Sequence, residues 1–141
     1  MKLLKREKLL EKEKLEVVQV DLGDGEGVYV RQMTGRERDQ WEKSLIRPIR
    51  DKKGQVTGMD SALEDFRAKL CVHTVCDEKG TLLFSSTDVA QLSLNMSASR
   101  LEIIVDAAQK LNKISEEDKE ELVKNLDADQ VGNSSSDSVK S

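Results

Sequence analysis

The sequence holds one histidine, one proline, two cysteines and four aromatic residues (Trp41, Tyr29, Phe66 and Phe84). Each scarcity closes off a class of protein. With a single histidine, a Ser–His–carboxylate triad has to be built on His73, which sits between apolar neighbours in a helical stretch and reads as a packed or half-exposed structural residue. Cys71 and Cys76 are five apart, on different sides of a helix, so no local disulfide is expected and the chain suits a reducing cytoplasm. Cys71, His73 and Cys76 lack the second ligand pair that zinc needs. No apolar run approaches the roughly 18 residues of a membrane span. The basic opening is not followed by the apolar core of a secretory signal. With so few aromatics, Leu, Ile and Val must supply most of the burial. Such a lean balance suits a small solvated domain or a chain that completes its core with a partner.

What the sequence has is charge. Asp, Glu, Lys and Arg make up 35% of it, and the net charge of −4 argues against a general nucleic-acid binder. The distribution is uneven. Residues 2–14 carry six Lys/Arg against three Glu, a net of +3, whereas residues 116–129 carry seven acids and two lysines, a net of −5. Opposite ends of opposite sign favour head-to-tail association, unless both are simply solvated helix faces.

Along the chain, residues 2–12 read as a short helix. Residues 14–22 and 28–33 read as strands joined by the glycine turn 23–27, a β-hairpin. Thr34 with Glu37 has capping-box spacing and opens a helix expected to reach Arg47 and stop before Pro48. Residues 48–58 are basic, punctuated by glycine, and expected to be a loop. Ser61 with Glu64 repeats the capping spacing ahead of a second helix. Residues 77–80 form a turn, 81–84 a short extended piece, and a brief helix begins near Ser86. Ser97 opens the strongest amphipathic stretch, in which Leu101, Ile104, Val105, Ala108 and Leu111 recur at three and four. Ser115 with Asp118 starts a last helix through Leu126, and the serine-rich remainder has no periodicity. The expected fold class is α+β, mainly α-helical, with an N-terminal β-hairpin packed on about four helices. Residues 1–126 form the single domain and 127–141 a disordered tail.

No stretch carries enzyme chemistry. The glycine turn 23–27 lacks a following helix and the Lys-Ser/Thr pair that would cradle phosphate. Asp21, Asp24 and Glu26 lack the calcium-loop pattern. The chain is therefore expected to be non-enzymatic, without metal or cofactor. Two roles remain open for the stripe of Leu101, Ile104, Val105, Ala108 and Leu111: core, or a partner or oligomer surface. Trp41 is expected to pack on Leu45 and on the hairpin, clamping strand to helix, or else to anchor an interface.

The order of motifs resembles a known family. A Lys/Glu-rich opening leads to "KLEVVQVDLGDGEGVYVRQMTGRERDQWEKSLI", then "ALEDFRAKLCVHTVCDEKGTLLFSSTDVAQL", then "SASRLEIIVDAAQKLNKISEEDKEELVKNL". This looks like the tail assembly chaperones of long-tailed, siphovirus-type bacteriophages. The family's pattern of valine–x–valine–arginine–x–methionine or leucine, then threonine–glycine–x–glutamate–arginine–aspartate, falls on Val28, Val30, Arg31, Met33, Thr34, Gly35, Glu37, Arg38 and Asp39. Further matches are Arg67, Leu70, Asp77, Gly80, Leu83 and Phe84. The later ones are Ala108, Leu111, Asn112, Ser115, Glu116, Glu117 and Glu121. The likeness covers roughly residues 2–126. Its specificity lies in the ordered set, since no single motif is specific, and residues 48–58 and the serine-rich ending fall outside it.

The resemblance implies a homo-oligomeric chaperone in the host bacterial cytoplasm. Such a protein binds and solubilises the phage tape-measure protein while the tail tube assembles. Its contacts extend to the tail tube protein, and it is not kept in the virion. It implies no nucleic-acid and no membrane partner. A structural tail-completion or connector protein of the virion is the alternative, and a nucleic-acid-binding regulator using residues 2–14 and 47–53 is a weaker one.

Overall fold

The computed structural model describes residues 1–61 and 64–114 as a mixed α+β protein. Helix α1 (Arg6–Leu9) is a single turn that buries none of its residues, much shorter than the helix expected over 2–12. Strands β1 (Val17–Gly23) and β2 (Glu26–Arg31) pair antiparallel. Asp24 and Gly25 join them with φ of 57° and 76°, the two left-handed residues of the tight turn whose twist matches a hairpin. Alternation puts Val18, Val20, Val28 and Val30 on one face, because Val18 pairs with Val30 and Val20 with Val28. That face meets the core.

Helix α2 (Gly35–Ser44) begins with the expected capping box. The Glu37 backbone N–H donates to Thr34 Oγ1 (3.2 Å) and the Thr34 N–H donates to Glu37 Oε1 (2.9 Å). The helix ends at Ser44, three residues earlier than expected, with Leu45 as its C-cap. Strands β3 (Ile46–Arg50) and β4 (Val56–Ser61) then form a second hairpin, separate from the first sheet, where a loop was expected. Pro48 is tolerated because this two-stranded arm is all edge. Ser61 therefore belongs to a strand. Helix α3 (Phe66–Thr74) starts later, behind Asp65, whose φ is 62°.

Strand β5 (Val75–Cys76) follows directly and covers the free edge of β2, giving the sheet order β1-β2-β5. A 3-10 turn (Ser86–Asp88) leads into α4 (Val89–Asn95), and Ser97 caps α5 (Ala98–Leu111) by accepting the Arg100 N–H at 3.2 Å. Val20, Val30, Trp41, Leu45, Leu70, Cys71, Val75, Leu101, Ile104, Val105, Ala108 and Ile114 form one buried cluster between the sheet and α2, α3 and α5. The helix expected from Ser115 and the tail expected over 127–141 lie outside the described residues.

Candidate interaction surfaces

The residues singled out in the sequence take two places. Leu101, Ile104, Val105 and Ala108 are buried in the chain's own core, and Leu111 packs partly buried against it. Side chains so enclosed offer a partner nothing without unfolding, so of the two roles left open the structure gives these four the core role. Trp41 is 1% exposed and Leu45 fully buried. The indole lies edge-on to Phe66, with ring centroids 5.8 Å apart and planes at 62°, and the Arg38 guanidinium lies 5.7 Å from its centroid. Trp41 thus joins α2 to the start of α3, a contact the sequence did not suggest. Its Nε1 finds no hydrogen-bond partner among the described residues, so the ring serves by shape.

Six of the positions carrying the family resemblance, Arg31, Met33, Thr34, Glu37, Arg38 and Asn112, meet at one elbow between β2 and α2. Arg31, 6% exposed, donates through both terminal nitrogens to Glu37 (2.9 and 2.7 Å) and also to the Gln32 carbonyl (2.9 Å). Such a forked pair is among the stronger protein hydrogen-bonding arrangements. Burial pushes the Glu37 carboxyl up, but the Arg31 charge and the Thr34 donors outweigh it and hold the group below its ordinary 4.5. From the far end of the chain, Asn112 Oδ1 accepts the Met33 N–H (2.7 Å), its Nδ2 donates to the Ala108 carbonyl (2.9 Å), and its own carbonyl accepts from Arg38 (3.1 Å). The elbow is a structural joint, with its polar groups turned toward one another.

The remaining titratable groups of the core are equally inward. Burial pushes the Cys71 thiol up to about 12. It raises Cys76 as well, with Arg31 opposing and Asp77 adding to the shift. Both thiols are buried and unpaired with each other. His73 Nδ1 sits 2.8 Å from the Lys69 carbonyl, within its own helix. Among the described residues, no group of three His, Cys, Asp or Glu side chains has the spacing to hold a metal ion, and no helix is long and apolar enough to cross a membrane.

Among the described residues, three features face outward. The first is the arm of β3 and β4, which carries exposed Ile49, Val56 and Met59 beside Arg47, Arg50, Lys52 and Lys53. Its tip is tied by Asp51, whose Oδ1 accepts the N–H groups of Lys53 and Gln55, both at 2.9 Å. The second is an open groove of about 690 Å³ between the 3-10 turn, α4 and the start of α5. Phe84, Leu92 and Met96 give it an apolar floor, and Asp88, Gln91 and Arg100 line it with polar groups. Leu83 and Leu94, each next in sequence to a lining residue, are exposed, Leu94 at 83%. The third is the opening segment, with exposed Leu3, Leu4, Leu9 and Leu10. Scattered exposed leucines are ordinary, but several within one short segment or beside one groove mark places where a partner gains by binding. No family model, curated protein or solved structure matches this chain.

Proposed function

We propose that the chain is a non-enzymatic tail assembly chaperone of a long-tailed bacteriophage, acting in the host bacterial cytoplasm. It binds the tape-measure protein and keeps it soluble while the tube polymerises, it works as a homo-oligomer that also meets the tail tube protein, and it is absent from the finished virion. The observation that carries this reading is the elbow. Part of the motif over Val28–Asp39, from Arg31 to Arg38, meets the later match Asn112 in one hydrogen-bonded joint, which supports reading these resembling positions as one unit. A mainly helical domain, with the first hairpin packed on about four helices, belongs to the same proposal.

The surfaces suit the task. An extended helical client is held by many moderate apolar contacts repeated over several copies, and a groove with an apolar floor and polar lining takes one face of an amphipathic helix. The groove of Phe84, Leu92 and Met96 is therefore the assigned client site, with the arm as a second contact.

Co-expression with the tape-measure protein from the same genome tests the proposal. The chain should copurify with the client and keep it soluble, and Leu92→Asp should weaken that rescue while the chain stays folded. No association, with the client still insoluble, refutes it. Recovery of the chain from purified particles would instead favour a structural tail-completion or connector protein.

A further inference from the structure

We propose that the acidic stretch 116–126 docks on the leucine-bearing basic segment 2–14 of the same chain. Residues 1–14 are exposed throughout, and within them Leu3 (81%), Leu9 and Leu10 stand open on a segment whose one helical turn buries nothing. This apolar surface is flanked by Lys2, Lys5, Arg6, Lys8, Lys12 and Lys14. Residues 116–126 carry the complementary pattern: Glu116, Glu117, Asp118, Glu120 and Glu121, together with Leu122, Val123 and Leu126. Each stretch alone leaves apolar side chains in water beside charges of one prevailing sign, and pairing them relieves both.

The fold places the points from which the two stretches leave the body at one corner. The opening segment joins the body at Glu16, whose carbonyl accepts the Gln32 N–H (3.0 Å) and whose N–H donates to Gln32 Oε1 (2.8 Å). Helix α5 ends at Asn112, which accepts the N–H of Met33, the next residue along. Lys12 and Lys14 line a cleft with Arg31, beside this exit. The opening segment therefore joins the body beside the point where the described chain ends at Ile114. A short tether gives an effective concentration of about millimolar. That proximity favours the chain's own acidic stretch over that of a second copy and over the head-to-tail association that charge alone suggests.

Carbodiimide coupling, which joins a lysine to a carboxylate only in direct contact, tests this on the full-length protein. An equal mixture of light and 15N-labelled chains is coupled and read by mass spectrometry. The expected products link Lys5, Lys8 or Lys12 to Glu117, Glu120 or Glu121 within light or within heavy chains, and they fade at 1 M salt, where the screening length falls to about 3 Å. Light–heavy links would overturn the proposal in favour of a second copy. Absence of links between the two stretches would overturn it outright. The exposed double substitution Leu9→Ser with Leu10→Ser leaves every charge in place and should cut the yield about tenfold. An unchanged yield would overturn the role of the leucine face.

Discussion

Replacing Glu37 with Gln isolates the ion pair inside the elbow. Gln keeps the side-chain length and the oxygen that accepts the Thr34 N–H, and it serves equally in a capping box, so the start of α2 survives. What is lost is the negative charge opposite Arg31, whose side chain is 8% exposed. Removing one partner of a buried ion pair costs about 3–5 kcal/mol. Glu37 keeps 21% side-chain exposure and Gln still accepts one guanidinium bond, which brings the expectation to about 2 kcal/mol. In a domain of this size that lowers Tm by roughly 6–10 °C. Urea unfolding followed by the fluorescence of Trp41, the single and buried tryptophan, measures it directly, with the slope unchanged. The pH dependence supplies a second check. The folded carboxyl titrates below its ordinary 4.5, so its stabilisation is complete above that pH and disappears as pH falls through the folded value. The gap between wild type and Glu37→Gln should close on the same acid limb. A variant within about 0.5 kcal/mol of wild type at neutral pH, or a gap that persists undiminished into acid, refutes the reasoning.

Trp41→Ala should cost about 3–5 kcal/mol by circular dichroism melts, whereas an equally stable variant that no longer binds its partner would make Trp41 an interface anchor. Gly27→Ala places a Cβ 2.9 Å from the Val20 carbonyl oxygen and should cost about 1–3 kcal/mol in urea midpoint experiments. Cys71 and Cys76 should resist Ellman's reagent in the native protein and react together once urea unfolds it; rapid native labelling of Cys71 would contradict its burial. Replacing residues 48–59 by Asn-Gly should shift the melting midpoint by no more than a few °C, about 1 kcal/mol, because the arm buries no large side chain between Arg47 and Arg50. A larger loss would mean that the arm supports the core.

The elements legible in the sequence are those whose signal is local. The Asp24–Gly25 turn, the Thr34–Glu37 box and the Ser97 cap each depend on residues a few positions apart, and the 101–111 stripe announces itself by helical spacing. The arm was hidden because β3 contains Pro48 and lacks alternation. A signal was present nonetheless: "DKKGQ" and "DEKGT" share Asp, Lys and Gly at the same offsets. In both, the Asp side chain accepts two backbone N–H groups, and Gly54 and Gly80 adopt φ of 83° and 88°. Reading the second as a turn was grounds for reading the first as one. The capping spacing of Ser61 and Glu64 misled because an arm strand claims Ser61. The forked Arg31–Glu37 pair spans six residues across a change of direction, and Asn112 lies 79 residues from Met33. No periodicity reports such meetings. The same holds for the stripe, since spacing shows that a face is apolar but not whether the chain itself supplies what covers it.

The distance between Met33 and Asn112 also sets a timetable for the newborn chain. Synthesis at about 5–20 residues per second separates the two residues by roughly 4–16 s. During that interval the first hairpin and α2 exist without the helix that closes over them. Strand β5 arrives near the midpoint and blocks the open edge of β2, the side from which a neighbouring nascent chain would otherwise add a strand. Protection therefore comes in two instalments, edge first and face second, and a ribosome stalled before Thr74 leaves both exposed.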